Sequence, residues 1–324
     1  MVKERSALDA IASEIQASDQ AVALDLKTYG TSEDKKIRRD EALDSWRGEI
    51  RLLSLQLPDH VPWLIDLNAT GYGLGELGKA LEAAEIIGHN MKFDAIWLAR
   101  KCNVHLVKMI DTSSASRILS NGDSKLGNRL GEVADRYLGI ELRKNRGRRD
   151  WGAPVLLAEQ IQYAAQDVEH LHSLKEKLDA ELNAVGLMGI FRLEMDLLPV
   201  VVGMELIGFC VDRKKLEGLA AEATQKRDQM AQTVNKLLGS RELNLDALAQ
   251  LLEALQSLGI ALKNTNENSL LECRHPVADA ILKYRKWKKV KEDVESRINE
   301  IRPDGRIHCE FNPLGTDTGA ALEF

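Results

Sequence analysis

Residues 21–30 read AVALDLKTYG, an apolar β-prone run that meets charge at Asp25 and again at Lys27. Strand alternation sends residues 25 and 27 to the same face, so both charges leave the run on one side. A charge at the exit of a central strand needs a reason. Taken alone, Asp25 also reads as a turn or helix-cap acid, so its meaning depends on what lies further along the chain.

Working outward, IRLLSLQL (50–57), PWLIDL (62–67), EIIGHN (85–90) and LVKMIDT (106–112) are further strand candidates. Segments 76–85, 92–103, 113–120, 126–138 and one long stretch from Ala158 to Ala184 carry apolar residues at helical spacing. The link between the second and third strands is too short for a helical crossover, which predicts antiparallel strands early in an α/β layer fold. Beyond Gly186 strand-like runs nearly vanish, and helices are predicted at 191–207, 213–238, 246–258 and 277–301. The chain therefore reads as two domains, 1–188 and 189–324. RIHCEFNPLG, after a turn at Pro303-Asp304-Gly305, reads as a lone strand without a partner sheet.

The 324 residues are 44% hydrophobic and 29% charged, with 7 Pro and 23 Gly, which excludes a disordered or fibrous chain. No apolar run approaches a membrane span and no signal-peptide core opens the chain, so a cytoplasmic protein is expected. Four scattered cysteines form no CxxC pair, so buried free thiols are expected rather than a zinc ribbon or a disulfide scaffold. A net charge of −6 argues against indiscriminate coating of nucleic acid and leaves room for local basic patches.

Two later segments give Asp25 its context. IIGHNMKFDAIWLARK (86–101) is a strand, a polar turn and a helix, with Asn90 and Asp94 four apart and Asp94 in the first helical turn. AEQIQYAAQDVEHL (158–171) sets Tyr163 and Asp167 four apart on one helix face. Singly, each has a plain reading: an acid favouring a helix dipole, a packed tyrosine, a surface acid. Together, in this order and these contexts, they resemble the Asp-x-Glu, Asn-x-x-x-Asp and Tyr-x-x-x-Asp motifs of the tyrosine branch of the DEDD exonuclease superfamily.

The resemblance covers nearly the whole chain. WRGEIRLLSLQLP, PWLIDL, IDTSSASRILSNG and LGNRLGEVADRYLGIEL are similar to the proofreading domain of family A DNA polymerases. LLPVVVGMELIGFCVDRKKLEGL, LNLDALAQLLEALQSLGIAL, HPVADAILKYRKWKKVKE and DGRIHCEFNPLGTDTG resemble the start of their polymerase module, its thumb and the first palm strand. The resemblance implies a ribonuclease H-like exonuclease domain, a mixed sheet flanked by helices, followed by a mainly helical partial thumb. It implies 3′–5′ exodeoxyribonuclease activity with Asp25, Asp94, Tyr163 and Asp167 as catalytic residues. Asp25, Asp94 and Asp167 would hold two Mg²⁺ or Mn²⁺ ions, hard cations that prefer oxygen ligands, one activating water and one stabilising the leaving 3′ oxygen. The implied partners are a single-stranded DNA 3′ end, met by Asn90, and a primer-template duplex, met by the thumb.

Two departures qualify this. Where the family motif has Glu, this sequence has Lys27, replacing a ligand carboxylate by an ammonium. That change, natural or introduced, predicts impaired cleavage and a site reduced to one metal or none. And GTDTG runs into AALEF, where the family continues into palm and fingers; a natural truncation and an appended tail both fit, and no polymerase activity is expected of this stretch.

ELRKNRGRRDW (141–151) packs Arg143, Lys144, Arg146, Arg148 and Arg149 beside Trp151 just before the third motif. It reads as a solvated loop or as a phosphate-tracking loop with a stacking aromatic, in which Arg146, Arg148 and Arg149 bind the strand. Residues 284–289 form a second basic run, read either as a duplex-gripping thumb helix or as a charged helix face. A non-catalytic module that captures a 3′ end, or a structural support for the thumb, are the rival readings of the whole.

Overall fold

A computed structural model describes all residues except 121, 122, 124, 143–149, 240–242, 316–321 and 324. After α1 (Ala7–Ala17), β1 (Val22–Tyr29) forms the centre of a five-stranded sheet. It is followed by α2 (Lys35–Glu41), β2 (Glu49–Gln56), β3 (Trp63–Asp66), α3 (Leu67–Thr70), α4 (Glu76–Ala83), β4 (Glu85–Gly88), α5 (Met91–Trp97), β5 (Lys108–Asp111), α6 (Thr112–Ser120) and α7 (Leu130–Leu138). The order across the sheet is β3-β2-β1-β4-β5. β2 runs antiparallel to β3, as their short connection requires, and also to β1, whereas β4 and β5 are parallel to the centre.

β1 explains how the layers divide. Val22, Leu24 and Leu26 point into a core built with α1, α4 and α5. Ala23 points the other way, packing with Ile87, Val168 and Leu171. Asp25 and Lys27 share the face of Ala23 and so look toward the helices of the third motif.

Those helices are α8 (Ala158–Glu169) and α9 (Leu171–Ala184). The sequence predicts one continuous helix here. Instead the chain turns at His170 (φ −107, ψ −1), and Val168 and Leu171 both enter the core on either side of the turn. Similarly, the helix predicted over 92–103 stops at Trp97 and continues as a single wide π-turn, Leu98–Cys102.

α10 (Met188–Ile207) follows with Leu198 and Val202 in the β1 core. The first compact unit therefore extends to Ile207 rather than closing at residue 188, and it also takes in residues 309–324. The end of the strand-like runs made α10 look like the first helix of a new domain, but its buried Leu198 and Val202 belong to the sheet's core.

The second unit, 208–308, contains β6 (Phe209–Cys210), α11 (Arg213–Leu237), α12 (Leu248–Ser257), α13 (Glu267–Glu272), α14 (Pro276–Glu300) and β7 (Arg306–Ile307). Lys226 lies 4.3 Å over the ring of Trp287, and eight residues later Val234 shares a core with Val277, Ala278 and Ile281. α11 and α14 therefore run in opposite directions. Arg306-Ile307 is not a lone strand: β7 pairs with β6. Further on, β8 (Phe311–Asn312) pairs with β9 (Leu322–Glu323) in the first unit.

None of the four cysteines forms a disulfide; Cys102 and Cys309 are buried, and Cys210 is exposed on β6. Among the described residues no helix is long and apolar enough to cross a membrane.

Candidate active site

The three sequence motifs meet on the α8 side of β1. Nζ of Lys27 stands 2.7 Å from Oδ2 of Asp25 and closer still to Oδ2 of Asp167, to which it donates a hydrogen bond. It also lies 4.8 Å from the ring centre of Tyr163, one turn before Asp167 on α8. At an effective dielectric of about 20, each such ion pair is worth roughly 6 kcal/mol gross, before the ions' desolvation is subtracted.

Asp94 arrives from the other side. β4 pairs with β1 only as far as Ala23, so the backbone N–H of Leu26 donates to Oδ1 of Asp94 at 2.9 Å. The turn that delivers Asp94 is itself fixed. Asn90 adopts a left-handed conformation (φ 65), and its N–H donates to Oδ1 of Asp111 at 2.7 Å. Asp111 also accepts from the N–H of Ser113 and the hydroxyl of Ser114. His89 is fastened between Thr112 Oγ1 and the carbonyl of Asn128, both at 2.8 Å, an anchoring position at the strand end.

The electrostatics follow from burial. Asp25 is pushed up to about 6 by burial, with Asp167 pushing the same way and Lys27 pulling back. Burial also raises Asp94 well above the usual aspartate value, helped by Asp25. Burial alone would lower Lys27, but Asp25 and Asp167 outweigh it and hold the ammonium above the usual lysine range. Tyr163 is raised by burial and then by Asp167.

The arrangement does not fit the expected pair of divalent ions. Among the described residues no group of three or more His, Cys, Asp or Glu side chains is arranged to hold a metal ion. The ammonium of Lys27 stands between Asp25 and Asp167, two of the carboxylates that would share one.

Two supporting residues escaped the sequence reading. The β1–β2 register slips at Lys27/Thr28, so Arg51 is an extra residue in β2, a bulge of the kind that re-aims side chains near sites. Its guanidinium, 3% exposed, pairs with Asp66 at 3.0 and 3.2 Å and donates to the carbonyls of Trp151, Ala153 and Pro154. This ties down the segment that leads into α8. Arg146, Arg148 and Arg149, with Arg143 and Lys144, lie outside the described residues.

In the second unit, the basic run on α14 is partly committed internally. Tyr284 bonds Asp246, Arg285 bonds Thr265, and Lys288 pairs with Asp246 at 2.8 Å. Lys283, Lys286 and Lys289, three residues apart, remain exposed on the helix.

The sheet order and flanking helices define a ribonuclease H-like exonuclease fold, with a helical unit after it. Residues 1–183 match the 3′–5′ exonuclease family and residues 213–322 match DNA polymerase family A. The chain belongs to the family A DNA polymerases and contains their 3′–5′ exonuclease domain. It is 30% identical over 272 residues to DNA polymerase I of Aquifex aeolicus, covering 75% of this chain and 46% of that protein. It spans between about a quarter and a half of the length of such curated relatives.

Among solved structures, the POL domain of Pol1 from M. smegmatis, in complex with DNA primer-template and dNTP, superposes with a TM-score of 0.71 at 21% identity. That superposition covers 98% of this chain and 53% of the other, and it establishes the fold. Brucella melitensis NrnC with bound Mg²⁺ superposes with a TM-score of 0.50 at 26% identity, covering 58% of this chain and 86% of that one.

Proposed function

We propose that this chain is a 3′–5′ exodeoxyribonuclease domain with a partial polymerase thumb, acting on DNA in the cytoplasm, whose hydrolysis is suppressed in the present sequence by Lys27. The observation that carries this is the Lys27 ammonium lodged between Asp25 and Asp167. The family supports the activity, and the NrnC structure with Mg²⁺ supports a divalent ion as the cofactor of an intact site of this type. In this reading Asp25, Asp94 and Asp167 are the acidic site and Tyr163 orients the attacking water. Asn90 and the basic segment with Arg146, Arg148 and Arg149 guide a single-stranded 3′ end. The exposed row Lys283, Lys286 and Lys289 faces duplex phosphates.

A non-catalytic reading, in which the domain holds DNA without cutting it, draws on the same ammonium. Restoring the acid separates the two. With Mn²⁺ and a 5′-labelled single strand, Lys27→Glu is expected to shorten the strand from its 3′ end where the present protein does so weakly or not at all, and adding Asp167→Ala is expected to abolish that gain. A Lys27→Glu protein that binds the strand but leaves it intact supports the non-catalytic reading. Robust cleavage by the Lys27 protein, unchanged by reversion, removes position 27 from the site. No nucleotide addition is expected of this stretch either; templated primer extension by the pure protein would refute this.

A further inference from the structure

We infer that Lys27 is a tethered cation, which neutralises the buried acids from within so that the domain folds and keeps Asp25, Asp94 and Asp167 together with no divalent ion. This rests on the assignment of those three residues as the acidic site. Three buried or half-buried carboxylates gathered around one β-strand repel one another, and such a cluster ordinarily needs an external cation. Here the charge is supplied by the strand itself. Lys27 is two residues from Asp25 on the same face, only 9% exposed, and its ammonium reaches Asp25 at 2.7 Å and Asp167 more closely. Metal–oxygen distances are about 2.0–2.6 Å, so an ion bound by the same oxygens would fall nearly on top of Nζ. The ring of Tyr163 lies 4.8 Å from the same ammonium, a further contact suited to a cation. Asp94, held by the Leu26 N–H, completes the acidic wall.

The charge of the cluster also bears on DNA. One ammonium against three carboxyl groups gives the cluster no net positive charge once any one of them is ionised, whereas two divalent ions would have made it attractive to a phosphate. The scissile phosphate is therefore not drawn into this pocket, and strand affinity comes from basic residues elsewhere.

The test reads metal uptake and stability in the full chain, without DNA. Bound Mn²⁺ is counted by EPR, and melting is followed in excess EDTA and in excess Mn²⁺. The present protein should take up no Mn²⁺ at the site and melt at the same temperature in both. Lys27→Gln should melt roughly 5–10 °C lower in EDTA, recover in Mn²⁺ and bind at least one ion. Lys27→Arg, which keeps the charge, should remain indifferent to metal and serves if the glutamine variant does not fold. Stoichiometric Mn²⁺ uptake with a raised melting temperature in the parent or in Lys27→Arg overturns the inference, as does a Lys27→Gln protein that melts like its parent in EDTA. If Lys27→Glu binds Mn²⁺ yet leaves DNA intact, the exonuclease reading fails and the tethered cation stands. If the parent binds Mn²⁺ while Lys27→Glu cleaves, the reverse holds.

Discussion

Lys27 Nζ approaches Asp25 Oδ2 to 2.7 Å, yet that oxygen is buried and outside hydrogen-bond geometry, whereas Asp167 receives a directed hydrogen bond from the same ammonium. Asp25 is thus stabilised by charge without the angular bond that would fix it. This inequality between two acids sharing one ammonium makes Asp25 the responsive member of the cluster.

The proton on Asp25 should report this directly. Its folded value of about 6 lies above the usual 3.8, so the stability linked to this proton is fully present below about 3.8 and is lost as pH rises through about 6. In ¹³C NMR the Asp25 carboxyl should titrate near 6. Lys27→Met, which removes the one nearby charge that lowers it, should move the midpoint upward. A midpoint near 4 in both proteins would mean that the acid is not desolvated.

Arg51 should be costly to replace. Arg51→Met leaves Asp66 buried and unpaired and strips donors from three carbonyls, a loss of about 3–5 kcal/mol by urea unfolding. Arg51→Lys should recover little, because an ammonium has three donors and no planar fork. The double variant Arg51→Met/Asp66→Asn should cost less than the two single losses added together. Additive losses would show that the pair is not coupled.

Charge reversal along Lys283, Lys286 and Lys289 should weaken duplex DNA binding across all sequences. Each lost phosphate contact lowers the slope of log affinity against log salt by about 1, so replacing all three by Glu should lower it by up to about 3 in a fluorescence-anisotropy titration. An unchanged slope would remove the row from the DNA interface.

The antiparallel start of the sheet, the shared face of residues 25 and 27 and the pairing of Tyr163 with Asp167 were legible because each rests on a short connection or a local period, whereas the meeting of Asp25, Asp94 and Asp167 was implied only by the resemblance to the exonuclease motifs. Alternation puts residues 25 and 27 together, and a four-residue step puts Tyr163 above Asp167. Arg51 was illegible for the opposite reason, since the bulge interrupts the alternation that a reader uses to assign faces. Asp111 looked like the end of a strand, whereas its function is to hold the turn at Asn90. The partner of β7 was hidden because Phe209-Cys210 is only two residues long and lies about a hundred positions away. The role of Lys27 was half legible: its type announced a departure, but only the fold shows that its ammonium turns inward.

The return of residues 309–324 to the first unit makes that unit discontinuous in sequence. Lys92, two residues before Asp94 on α5, bonds Glu205 of α10 at 2.6 Å and the carbonyl of Phe311 at 2.5 Å, and the Phe311 N–H donates to the same Glu205 carboxylate at 2.7 Å. During synthesis, the sheet and Lys92 emerge first, Glu205 follows 113 residues after Lys92, and Phe311 appears only after the whole second unit has also been translated. At typical elongation rates that is a delay of roughly 5–20 s. For that interval Lys92 and Glu205 face each other without their third partner, so the last joint of the exonuclease domain closes only after the helical unit behind it has left the ribosome.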